Sequence, residues 1–112
     1  MDTNQFQRIA KALADPRRFE IFGKITGSGK EMCCGDVVEC FSVAQPTVSH
    51  HLKELTDAGL IETRSEGQFK FLRARIDVLA EYLSEVERRL NLPAAKERTR
   101  AKSAGRQKSA KA

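Results

Sequence analysis

Three cysteines, Cys33, Cys34 and Cys40, fall within eight positions of this 112-residue chain. An odd number of closely spaced thiols, in a chain expected to be cytosolic, is not read as a disulfide framework. It points to soft-metal binding, redox chemistry or plain packing. A second group with chemical reach follows in AQPTVSHHLKELTDAGL, residues 44–60. Val48, Leu52 and Leu55 recur at i, i+4, i+7, the spacing of one helix face. Gln45, Thr47, Ser49, His50 and Lys53 form a second face of short polar and basic groups. Such a face can lie in a DNA major groove and hydrogen-bond to base edges. His50 and His51 do not read as a metal pair, because adjacent helical residues point about 100° apart. His50 is assigned to the DNA face and His51 to the packed side.

The elements that must hold these side chains can be read from periodicity. Phe6, Ile9, Ala10, Leu13 and Ala14 predict a first helix, closed by Asp15-Pro16. A second helix runs from Pro16 to about Thr26 and is expected to bury Phe19, Phe22 and Ile25. Gly27-Ser28-Gly29 breaks it. A third helix is expected to start near 33–36 and to bury Val37, Cys40 and Phe41. After a turn at 42–44, Pro46 opens the fourth helix, and Gly59 stops it. The period then changes. Ile61 opens a strand, Ser65-Glu66-Gly67 is a turn, and Gln68–Arg73 alternates through Phe69 and Phe71. Leu79, Tyr82, Leu83, Val86 and Leu90 mark a last helix at heptad-like spacing. The predicted fold is mainly α with a small β-hairpin, a winged helix-turn-helix. Its first and last helices carry apolar faces that a two-fold dimer would cover.

The charge is unevenly placed. Residues 93–112 hold seven basic residues against one acid, whereas residues 1–92 hold 13 basic against 14 acidic. The net charge of +5 therefore belongs to the tail. Residues 1–92 are expected to form the DNA-binding domain, and 93–112 a disordered basic tail. That tail either adds phosphate affinity or merely solubilises. No apolar run of about 18 residues is present, so no membrane span is expected and the cytoplasm is the default. No nucleophile–base–acid set and no Gly-rich phosphate loop appear, so the chain is not read as an enzyme. No cofactor is expected to be required.

ALADPRRFEIF at 12–22, the 44–60 segment and RSEGQFKFLR at 64–73 together resemble the ArsR/SmtB family of winged-helix repressors, over most of residues 6–90. The resemblance implies a homodimer that binds double-stranded operator DNA and is released by an inducer. It implies that Gln45, Thr47, Ser49, His50 and Lys53 face the groove, and that the 64–73 hairpin is the wing, with Arg64 and Lys70 on the DNA. Ala44 departs from the Ser common before that helix and forgoes a cap worth about 1 kcal/mol.

EMCCGDVV at 31–38 is similar to the arsenic-sensing ELCVCDL segment of the family. Cys33 matches its first Cys, Gly35 stands at the second, Cys34 lies between them, and Val38 stands where a third would fall. The implied ligand is As(III), Sb(III) or another soft ion on Cys33 and Cys34. Cys40 lies about 10.5 Å along a continuous helix from Cys33 and joins only if the first turn unwinds. The helix dipole is expected to favour the thiolates. A thiol-redox or persulfide sensor and purely structural cysteines remain alternatives. The family's zinc site is not expected, since Asp77, Glu81 and Glu85 on the last helix have no His beside them.

Overall fold

Two aspartates start the first two helices in the computed structural model, which describes residues 1–41, 44–93 and 98. Asp2 accepts a hydrogen bond from the Gln5 N–H at 2.8 Å and caps α1 (Thr3–Ala14). Asp15 accepts from the Arg18 N–H at 2.9 Å and caps α2 (Pro16–Ser28), with proline in the first turn, where its missing N–H costs nothing. A two-residue strand, β1 (Met32–Cys33), leads into the short α3 (Cys34–Cys40). Helix α4 (Gln45–Asp57) begins at Ala44, whose side chain makes no cap bond, as its residue type predicts. It ends in a paired-bond cap. The Gly59 N–H donates to the Thr56 carbonyl at 2.9 Å, and the Leu60 N–H to the Leu55 carbonyl at 3.0 Å. Gly59 has φ 84°, the left-handed conformation this cap requires.

Strands β2 (Ile61–Glu66) and β3 (Phe69–Ala74) form the hairpin around a two-residue loop, Gly67-Gln68, with Gly67 at φ 61°. The ladder therefore runs through Ser65 and Glu66, which the sequence reading placed in the turn. The sheet has three strands in the order β1-β3-β2, all antiparallel. Its third strand was not foreseen.

Ile9, Ile21, Phe22, Ile25, Val37, Val48, Leu52, Leu55, Leu60, Ile61 and Leu72 are buried in one core. Two expectations about this core, on α2 and α3, are corrected. On α2, Phe19 is 57% exposed, and the inward stripe is Ile21, Phe22 and Ile25. On β3 the inward residue is Leu72, which pairs with Met32 and Thr63, while Phe69 is exposed and Phe71 half-buried. A period-2 strand offers either face, and the β1 pairing selects this one. On α3 the packed stripe is Cys34, Val37, Val38 and Phe41. Cys40 lies off that i, i+3, i+4, i+7 line and is exposed.

The chain divides into two compact units, Met1–Tyr82 and Leu83–Ala112, with the last helix, α5 (Ile76–Arg89), contributing to both. In the first unit the Tyr82 ring lies 5.1 Å from that of Phe6, and the Met1 amino group pairs with Glu81 at 3.3 Å. The Arg75 guanidinium holds Asp77 well below the usual carboxylate range, at about 2. In the second unit Arg88 and Arg89 both bond to Glu85 and lower it to about 2. The three carboxylates considered for zinc thus each have a cationic partner. Apart from Pro93 and Arg98, the expected basic tail lies outside the described residues. Among the described residues no helix is long and apolar enough to cross a membrane.

Candidate nucleic-acid interface and thiol cavity

Helix α4 is buried along Val48, His51, Leu52 and Leu55. Gln45, Thr47, Ser49, His50 and Lys53, the expected groove residues, are all exposed. They do not form one uniform face. At about 100° per residue, Gln45 and Ser49 lie on one flank, Thr47 on the other, and His50 and Lys53 between them. The Lys53 ammonium is already paired with Asp57 at 2.8 Å one turn along, which raises its affinity for the proton.

His51 takes the structural place assigned to it. It is 7% exposed, and its Nδ1 has no hydrogen-bond partner. Burial lowers its pKa below the ordinary 6.5, with Asp15 acting in the opposite direction. Acid therefore protonates the unfolded chain first. The stability this neutral ring contributes is complete above its ordinary pKa and is lost as pH falls through the folded value. Replacing His51 with Leu removes a buried unsatisfied atom and the titration together. The expected result is a gain of about 1–2 kcal/mol at neutral pH. Urea midpoints measured at about pH 7.5 and 5.5, either side of the ordinary histidine range, should diverge less than in wild type. An equal acid loss in the variant would remove His51 as the cause.

The wing carries three basic residues that differ in their surroundings. Arg64 donates to both oxygens of Glu31, at 3.0 and 2.9 Å, and pairs with Glu66. Its guanidinium also lies 4.7 Å from the Phe71 ring centroid. Glu31 is correspondingly more acidic than usual, its carboxylate held by that guanidinium. Arg64, expected on the DNA, is half-exposed and straps the approach to β1 onto the wing. Arg73 pairs with Glu62. Among the described wing cations, Lys70 is the one with no carboxylate partner.

The register explains how thiols and wing meet. Cys33 pairs with Phe71, and Phe71 with Arg64, so these three form one row across the sheet. Cys34 follows at the first turn of α3. Both cysteines, with Gly35, line an open cavity of about 420 Å³ whose remaining wall is Gln45, Ser49 and Leu52 of α4 and Gln68, Phe69 and Lys70 of the wing. The expected DNA readers Gln45, Ser49 and Lys70 are thus brought to the two expected ligands. The third cysteine is not, since Cys40 sits exposed near the far end of α3. No group of three or more His, Cys, Asp or Glu side chains gathers as a metal site among the described residues. The expectation of a readily formed thiolate is also corrected for Cys34. Burial raises its pKa, and the charge of Lys70 offsets this only in part. Sequence reasoning missed Gln68, Phe69 and Leu52 as cavity residues, because only the β1–β3 pairing brings the wing over α3.

Residues 13–64 match the family described as a helix-turn-helix domain. The chain is 40% identical over 76 residues to the uncharacterized HTH-type transcriptional regulator YceK of Bacillus subtilis, covering 68% of this chain and 76% of that protein. It is 36% identical to the arsenical resistance operon repressor of the same organism, covering 72% of this chain and 76% of that one. The homodimeric winged helix-turn-helix DNA-binding domain of a possible ArsR-family regulator from Mycobacterium bovis superposes with a TM-score of 0.62 at 28% identity, over 80% of this chain and 83% of the other. A helix-turn-helix with a polar α4 face, a three-stranded wing and these similarities place the chain in the ArsR family of winged-helix transcriptional repressors.

Proposed function

We propose that this repressor acts as a homodimer on a two-fold symmetric operator, and that a soft, thiol-binding inducer releases it. The exposed polar face of α4 carries the DNA reading. Gln45, Thr47, Ser49 and His50 supply donors and acceptors to base edges. Lys53 contributes charge after yielding Asp57, and Lys70 reaches phosphate from the wing. Arg64 positions the wing. Dimerisation is supported by α5, on which Ile76 and Leu83, spaced at i, i+7, are 55% and 54% exposed, with Leu90 just past its end 66% exposed. A heptad stripe of this kind is a helix-pairing seam. Two copies joined there would present two α4 helices to successive major grooves.

The inducer reading rests on one observation: Cys33 and Cys34 share a cavity with Gln45, Ser49 and Lys70. Trivalent arsenic or antimony is the favoured occupant, since soft ions prefer sulfur and the relatives include an arsenical resistance repressor. Two thiols suffice to hold such an ion, with Cys40 left out. The test is a titration of the DNA upstream of the chain's own gene, with and without arsenite, on wild type and Cys33→Ser. Arsenite should weaken wild-type binding by about 1–3 kcal/mol of coupling and leave the variant unchanged. Arsenite without effect on the wild type would sink the arsenic reading.

A further inference from the structure

The same cavity implies how release works. We propose that inducer and DNA compete directly for Gln45, Ser49 and Lys70, so that occupation of the thiol cavity withdraws DNA-reading side chains rather than merely bending α3. This rests on the reading that the cavity takes a trivalent metalloid, and adds which residues the metalloid recruits.

Three observations carry it. Gln45 and Ser49 are one helical turn apart on the α4 flank that walls the cavity, so that flank borders the thiols as well as the expected DNA-reading face. Lys70 lines the same cavity from β3 and, among the described wing cations, alone lacks a carboxylate partner, while Arg64 and Arg73 are ion-paired. Cys40 is exposed near the far end of α3, so the cavity offers two sulfurs and no third.

The stoichiometry then requires an oxygen. Arsenous acid has three As–OH bonds. Reaction with the two thiols forms two As–S bonds and breaks two As–O bonds. Each departing hydroxyl takes a thiol proton and leaves as water, and arsenic stays trivalent throughout. One As–OH remains in a part-enclosed site, where it needs hydrogen-bond partners. Gln45, Ser49, Gln68 and Lys70 are the polar side chains lining the cavity, and three of these four belong to the proposed DNA contacts. A side chain turned inward to that hydroxyl is not available to a base edge or a phosphate. By reciprocity, bound DNA must lower the affinity of the cavity for arsenite by the same factor.

The experiment uses the full chain, arsenite as probe, and fluorescence anisotropy with the chain's own upstream DNA, on wild type and Lys70→Gln. Lys70 is exposed, so the variant should fold, and circular dichroism checks this. Saturating arsenite should weaken wild-type binding by a factor within about 5- to 150-fold. Without arsenite, Lys70→Gln should bind more weakly, with the slope of log affinity against log salt reduced by about 0.9 per protomer. Its further loss on adding arsenite should then be several-fold smaller than in wild type. A variant that loses DNA affinity but keeps the full arsenite effect overturns direct competition, as does one whose salt slope is unchanged. Protection of Cys33 and Cys34 from iodoacetamide by arsenite separates the two levels. Without protection in wild type, the metalloid reading itself fails. With protection but an undiminished arsenite effect in Lys70→Gln, only the competition fails.

Discussion

A chain carrying Ser49→Ala and His50→Ala should fold normally yet bind its operator scarcely better than unrelated DNA. Both side chains are exposed on α4, so their truncation leaves the Val48, Leu52 and Leu55 packing untouched. Each well-made contact to a base edge discriminates by about 1–3 kcal/mol, so losing two should remove at least about thirtyfold, and up to about ten-thousandfold, of operator preference. Phosphate affinity should persist, because neither residue carries a fixed charge. Competition binding against random-sequence duplex, at one salt concentration, reads the ratio. Operator preference retained to within about twofold would place the reading face elsewhere, on the Thr47 flank.

The second large effect concerns stability. Leu60 is fully buried immediately after the α4 cap; its N–H closes that cap, and its carbonyl accepts the Arg75 N–H at 2.7 Å. Leu60→Ala leaves those backbone bonds in place and empties the core where α4, β2 and the start of α5 converge. The expected cost is about 2–5 kcal/mol, a large part of the ~5–15 kcal/mol typical of a small domain. Urea unfolding should show a lower midpoint with little change in slope, and a loss under about 1 kcal/mol would mean that the site collapses around the smaller side chain.

The helix-turn-helix was legible because its signals are local. Proline in the first turn, Gly59 in the left-handed cap and apolar residues at helical spacing all act within a turn or two. They placed α4 to within a residue and distinguished His50 from His51. What failed was set by distant partners. β1 is two residues long, too short to show any alternation, and exists only because β3 pairs with it. Without that strand the wing could not be seen to overhang α3, so Gln68, Phe69 and Lys70 gave no sign of meeting the thiols. The Arg64–Glu31 ion pair gave no sign in the sequence either, because its partners lie 33 positions apart. Phe19 and Cys40 were misplaced for a simpler reason: on short or marginal helices, apolar character alone does not decide which of two adjacent stripes turns inward.

The ladder that joins Cys33 to Phe71 links segments roughly forty positions apart, so the cavity is a nonlocal feature of the chain. Contacts of this kind bear the full entropic cost of closing a long loop before anything is gained, and they form late. A chain emerging from the ribosome presents its two adjacent thiols, and then its reading helix, well before the strand that encloses them has been made. At that stage it can capture a soft electrophile only by sulfur affinity, with no means of choosing among ligands. On the proposed inducer reading, selectivity is thus a property of the finished domain, acquired with the last strand of the wing.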